Sequence, residues 1–194
     1  MKFLLELPAL LKLARQSVSD PRGGARFMMG LNLPRGILLQ FYLLQLVLSA
    51  MSKLVFFLLM PLPEGIDAPT DAVMSFTAFE GMVGLMIAFG AHRIGQLFGG
   101  KGTFDQALTL VIWAQFILLV LSVVQILVLL VLPPLSDIIT MLALALFFWL
   151  MVNFVTELHG FTSPGLVFVG ILFSLMGLAI LLSILFSAMG LRFV

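Results

Sequence analysis

Residues 104–132 read FDQALTLVIWAQFILLVLSVVQILVLLVL and stop against Pro133-Pro134. After Asp105 the stretch carries no charge, and at about 1.5 Å of rise per residue it crosses the roughly 30 Å hydrocarbon core of a bilayer as a single helix. Hydrocarbon offers no water to the backbone, so a lone segment of this kind must satisfy its own peptide groups as a helix. The two prolines end it, because each removes a donor and disfavours helical geometry in the residue before it. Working outward, the same reading gives four further spans at about 34–60, 71–97, 135–158 and 164–190. The first is opened by Asn32 as an expected N-cap with Pro34 near its first turn, and closed by Pro61 and Pro63. Gly99-Gly100-Lys101-Gly102-Thr103 separates the second span from the third, and Gly160-Phe161-Thr162-Ser163-Pro164 separates the fourth from the fifth. The expected fold class is all-α, an integral membrane bundle of five transmembrane helices preceded by an amphipathic interfacial helix.

Composition agrees with a lipid solvent. Hydrophobic residues make up 62% of the 194 and charged residues 10%, against norms of roughly 45–50% and about 25%, so a water-facing surface could not be covered. Ten Lys and Arg nearly balance nine Asp and Glu, which excludes a nucleic-acid binder relying on bulk positive charge. The absence of cysteine excludes disulfides, thiolate metal sites, iron–sulfur clusters and cysteine nucleophiles. A serine-hydrolase elbow, a two-aspartate protease pattern and a Rossmann glycine loop are all missing, so no enzyme and no cofactor is expected.

Charge is unevenly placed. Residues 1–35 hold Lys2, Lys12, Arg15, Arg22, Arg26 and Arg35 against Glu6 and Asp20. Glu6, Pro8 and Lys12 interrupt the run that a secretory signal would need, so the head is expected to be retained. Leu4, Leu7, Leu11, Ala14 and Val18 recur at helical spacing, which suits a helix in the headgroup plane meeting anionic lipid. A second short helix is expected from Pro21 to Met29, capped by Asp20 and stopped by Gly30. The expected division is therefore a cytoplasmic amphipathic segment, 1–32, and a five-span domain, 33–194. Short loops rich in Lys and Arg stay in the cytoplasm. Placing the head inside puts eight of the ten basic residues there, including Arg93 and Lys101, and puts the acidic loop of Glu64, Asp67 and Asp71 outside. The N-terminus is expected in and the C-terminus out.

Ionisable groups at membrane depth are costly and are candidate functional groups. Glu80 lies about ten residues into the second span, where a carboxylate must be protonated, hydrogen-bonded or paired, with Arg93 and Lys53 the candidate partners. It can serve as a buried structural hydrogen bond, as an ion or proton site, or as a contact for another protein. Gly81, Gly84, Ala88, Ala91 and Gly95 form a small-residue stripe on the same helix, which places this span at the centre of the bundle. Gln40, Gln45, Gln115, Gln125 and Asn153 can bond between helices without charge. Glu157 and His159 close the fourth span at the level of His92, yet Glu157 and His159 lack helical i, i+4 spacing and no metal site is expected. Lys101 among glycines at a helix start permits a capped turn or contact with a lipid phosphate, although the P-loop pattern is absent. The candidate functional residues are thus Glu80, His92, Arg93, Lys101, Gln115, Asn153, Glu157 and His159.

Phe98-Gly99-Gly100-Lys101-Gly102-Thr103-Phe104-Asp105-Gln106 resembles the most characteristic segment of bacterial Yip-domain proteins, a family named for interaction with Ypt/Rab GTPases. The five-span count, Asp20-Pro21-Arg22, and a small-residue-rich second span ending in His92-Arg93 are similar as well. The resemblance implies a polytopic bundle with a cytoplasmic N-terminus and no recognised catalytic chemistry. Eukaryotic relatives act in vesicle transport with prenylated Rab GTPases and carry a long soluble N-terminal region not expected here, so the Rab role is not carried over. Two functions are expected to compete: a non-enzymatic scaffold or adaptor for membrane proteins or lipids, with self-association possible; and a small transporter or channel using Glu80 and the intramembrane glutamines. Convergence of Glu80, Gln115 and Asn153 on one cavity would favour the second. The expected location is the bacterial inner membrane.

Overall fold

The computed structural model describes residues 6–60 and 68–188, and every regular element among them is helical. Lys2, Glu64, Asp67 and Arg192 lie outside the described residues. Two short helices, α1 (Leu7–Ser19) and α2 (Pro21–Gly30), precede five long ones: α3 (Arg35–Leu59), α4 (Pro69–Leu97), α5 (Phe104–Val131), α6 (Ser136–His159) and α7 (Pro164–Ala188). Pro133–Leu135 forms a single 3₁₀ turn between α5 and α6. Four of these, α3 through α6, are long and apolar enough to cross a membrane, and α7 adds a further apolar helix. The ends of α2 through α6 fall within two residues of the expected ones, as does the start of α7, because the stops are chemical and local; the expected end of the fifth span lies outside the described residues. Asp20 Oδ1 accepts from the Gly23 amide at 2.9 Å at the start of α2. At the start of α5 Thr103 and Gln106 bond each other's backbone amides in a capping box, at 3.2 and 3.0 Å. Asn32 is different. Pro34 precedes α3 without a side-chain cap, while Asn32 adopts a left-handed φ of 44° and donates to the Gly30 carbonyl at 3.2 Å. It turns the chain out of α2 instead of capping α3, in keeping with the tolerance of asparagine for that conformation.

The centre of the bundle is α5, where the sequence pattern had placed α4. α5 packs against α2, α3, α4 and α6. Over Ala107–Val111, Trp113 and Ala114 it is buried on all sides. Leu150, Met151, Phe154 and Leu158 of α6 and Ala14, Ala25 and Met28 of the head complete that core. The small-residue stripe of α4 was expected to let another helix backbone approach closely; instead its glycines, Gly81, Gly84 and Gly95, receive side chains. A methyl group at Gly84 would lie 2.7 Å from Gln115 Nε2 and closer still to the Tyr42 hydroxyl, and one at Gly95 would fall on the His159 ring. Toward the acidic-loop end the helices present apolar side chains outward, including Met51, Leu58, Met74, Leu127, Leu130 and Met141, each more than half exposed. In a bundle of this hydropathy those positions face lipid.

The head docks on the bundle. Leu10, Leu13, Ala14 and Ser17 line one face of α1 and turn inward. Trp113 Nε1 donates to Ser17 Oγ at 3.0 Å, and Trp149 Nε1 donates to the Val18 carbonyl at 3.1 Å. A close approach of α1 to α2 depends on Gly24, where an added methyl would lie 2.7 Å from Ser17 Cβ. Arg26 of α2 pairs with Glu157 of α6 at 3.4 Å. Leu7, Leu11 and Val18 remain exposed on α1, adjoining Lys12 and Arg15.

Candidate functional site

A polar seam joins α3 to α5. Three side-chain contacts, Arg35 to Asp105, Gln45 to the Gln115 carbonyl and Ser52 to Ser122, each link residues 70 positions apart. A constant offset means that the two helices run parallel and in register, over about 25 Å from the first rung to the last at 1.5 Å per residue. The spacing of Tyr42, Gln45, Ser49 and Ser52 on α3 repeats at three and four residues, which keeps them on one face. Ser122 and Gln125 continue the seam on α5, and Gln125 Nε2 donates to Thr140 Oγ1 of α6 at 2.8 Å.

Glu80 of α4 closes the third side. Its Oε2 accepts from Ser49 Oγ at 2.7 Å and from the Lys53 ammonium, which also reaches Ser49. Lys53 and Glu80 thus form an ion pair between α3 and α4, with about a quarter of each side chain exposed. Between them and α5 lies a cavity of ≈ 380 Å³, lined by Gln45, Ser49, Ser52, Lys53, Glu80, Gln115, Ser122 and Gln125 among apolar neighbours. Tyr42, one turn before Gln45 on α3, adds a further tie from α3 to α4 by donating to the Gly81 carbonyl at 2.5 Å. Gln115 Oε1 is buried there without a hydrogen-bond partner among the described residues. Such a group in a polar cavity of this size can be met by water or by a small polar solute.

Of the eight sequence candidates, then, Glu80 and Gln115 meet in one cavity. Asn153 does not join them. Its Nδ2 donates to the Trp149 carbonyl one turn back on α6, at 2.8 Å, a local bond of the kind common in apolar helices. The remaining five lie at the opposite, loop-bearing end. His159 fills the space above Gly95, Gly100 and Gly102. Its Nδ1 accepts from the Gly102 amide at 3.2 Å, so Nε2 carries the proton and donates to the Ala91 carbonyl at 2.9 Å. The Gly102 carbonyl accepts from His92 Nδ1 at 3.0 Å. Two histidines therefore hold both polar groups of one loop residue. Glycines in this loop have two distinct physical reasons. Gly99 turns the chain at φ 83°, while at Gly100 an added methyl would strike His159 and at Gly102 it would lie 2.5 Å from Leu158 Cγ. Lys101 is exposed, Glu157 pairs with Arg26, and Arg93 stacks over the Phe89 ring with its guanidinium 5.7 Å from the centroid.

A family model described as the Yip1 domain matches residues 16–185. The chain belongs to the Yip1 family. No curated protein and no solved structure matches it. The Yip1-domain match begins near the end of α1 and ends within α7, so it takes in Ser17 and all of α2 but not the first two turns of α1. Membership makes this an integral membrane protein of a family whose members interact with other proteins or lipids. It is not a known enzyme family.

Sequence reasoning missed Tyr42, Ser49, Ser52 and Ser122, and placed Lys53 only as one of two partners for Glu80. The signal was present: polar residues on α3 and α5 repeat at helical spacing, and matching faces in two apolar helices mark the side on which they meet.

Proposed function

We propose that this Yip1-family protein is a non-enzymatic scaffold or adaptor that organises other membrane proteins or lipids. The supporting observation is the way its intramembrane charges are used. Lys53 and Glu80 are spent on each other and on Ser49, pinning α3 to α4, and the rungs from α3 to α5 are closed in the same way. A group held by a structural partner is poorly placed to bind and release an ion. The N-terminus and the loop containing Lys101 lie in the cytoplasm and the C-terminus outside, as the distribution of basic residues favours. Residues 1–32 form the cytoplasmic segment and 33–194 the five-span domain, in a bacterial inner membrane. Lys12 and Arg15, beside exposed Leu7, Leu11 and Val18, meet anionic headgroups. Partners are other membrane proteins or further copies of the chain.

The ≈ 380 Å³ cavity and the unpartnered Gln115 Oε1 favour a second reading, a small transporter or channel. Reconstituted vesicles separate the two. The scaffold reading expects no proton or monovalent-cation flux above that of protein-free vesicles, with specific membrane proteins recovered from the native membrane in mild detergent. Flux that is lost in a folded Gln115→Leu variant would refute it.

A further inference from the structure

At the loop-bearing end, Arg35 of α3, Phe89, His92 and Arg93 of α4, and Phe104 of α5 line a groove of ≈ 260 Å³. Its cations retain unused donors. Arg35 spends Nε on Asp105 at 2.7 Å, and the fork of a guanidinium leaves its terminal nitrogens for a second oxyanion. Arg93 has no carboxylate partner among the described residues, and both guanidinium groups are set by aromatic faces, Arg35 over Phe104 at 5.6 Å and Arg93 over Phe89 at 5.7 Å. His92 commits Nδ1 to the Gly102 carbonyl, leaving Nε2 on a ring that lines the groove. With Asp105 offsetting one arginine, the site carries one surplus positive charge, which matches a single phosphodiester.

Apolar tracks lead away from this head. On α3 the residues four and eight positions beyond Arg35 are Leu39 and Leu43, 44% and 62% exposed; on α4 those four and eight before Arg93 are Phe89 and Leu85, 55% and 41% exposed. Steps of four stay on one helical face, so both tracks start at the groove and run toward the middle of the membrane. Cations at one end and two exposed apolar stripes leading from it have the shape of an amphiphile. We propose that this groove is a binding site for one anionic phospholipid, its phosphate between Arg35 and Arg93 and its acyl chains along Leu39–Leu43 and Leu85–Phe89. The site is separate from the basic faces of α1 and does not depend on the scaffold role.

The test uses the full chain in nanodiscs of phosphatidylcholine containing a photoactivatable phosphatidylglycerol with the reactive group on an acyl chain. In the unmodified protein, labelled peptides should map to α3 around Leu39–Leu43 and α4 around Leu85–Phe89; labelling spread evenly over all lipid-facing helices overturns the proposal. Phospholipid retained after mild-detergent purification should fall roughly tenfold in Arg93→Gln and stay unchanged in Arg22→Gln, which removes an equal charge outside the groove. Equal retention by the two variants overturns it as well. Thermal stabilisation by inorganic phosphate as large as that by long-chain phosphatidylglycerol would show that a free phosphate, not a lipid, is the occupant.

Discussion

If Lys53 and Glu80 hold α3 to α4, removing either should cost far more than removing both. Glu80 is the twelfth residue of α4, about 16 Å from its first turn at 1.5 Å per residue, so Glu80→Gln leaves the Lys53 ammonium without a counter-charge well inside the bundle. Lys53→Met leaves the carboxylate and a Ser49 hydroxyl facing it. A stranded charge in a buried pair costs about 3–5 kcal/mol, and translocon scales for a charge at the helix centre give about 2.5–3.5 kcal/mol. Because a quarter of each side chain is exposed, the lower figure applies, and each single variant should lose about 3 kcal/mol, whereas Lys53→Met with Glu80→Gln should lie within about 1 kcal/mol of the parent. The coupling, about 5 kcal/mol or more, exceeds what an exposed pair supplies, about 0.2–1 kcal/mol. Reversible unfolding in mixed micelles, followed through Trp113 and Trp149, measures all four corners of the cycle. Additive losses below about 1 kcal/mol each would refute the reasoning, since the pair would then be no better than one in water.

Single cysteines at Ala68 and Lys101 should be labelled from opposite faces of the membrane, with Ala68→Cys reached by an impermeant maleimide in intact cells; Lys101 is the probe because a side chain at neighbouring Gly102 would collide with Leu158. Gly84→Ala should lose about 1–3 kcal/mol by overpacking against Tyr42 and Gln115, while Gly90→Ala, where the nearest atom is Ile94 Cδ1 at 3.9 Å, should be neutral or gain up to about 1 kcal/mol in the same unfolding assay. His159→Phe fills the same space without either hydrogen bond, so it should fold yet lose about 1–3 kcal/mol and speed amide exchange at Gly102; unchanged protection there would show that the histidine serves only as filler.

Where a helix begins and ends was legible because the cause sits within three or four residues of the effect: Thr103 with Gln106, Asp20 with Gly23, Pro133-Pro134 as a stop. Asn32 misled because asparagine serves both caps and left-handed turns, and only the backbone geometry between α2 and Pro34 decides between them. The central helix was not legible. Apart from the face of Gln115, Ser122 and Gln125, α5 is apolar all round, so its pattern points to one neighbour and not to four, whereas the glycines of α4 announced a contact without saying whether a backbone or a side chain would fill it. The partner of Glu80 is 27 positions away and the partner of His159 is 57 away, separations over which periodicity carries no information. The Gly-Gly-Lys-Gly loop was recognisable as a family feature, but its reason lay at the far end of α6.

The docking of the head has a consequence for how the chain is made. Ser17 waits for Trp113, 96 residues downstream, and Arg26 for Glu157, 131 residues downstream. A ribosome adding residues at about 5–20 per second reaches Glu157 only several seconds after Arg26 has emerged. Through that interval the basic, half-apolar α1 and α2 have no bundle to cover, and the membrane surface is the nearest place for Leu10, Leu13 and Met28 to go. A segment translated before the bundle is thus among the last to reach its native position, and a nascent chain halted before α6 should display Ser17 and Arg26 to proteases and crosslinkers that the finished protein excludes.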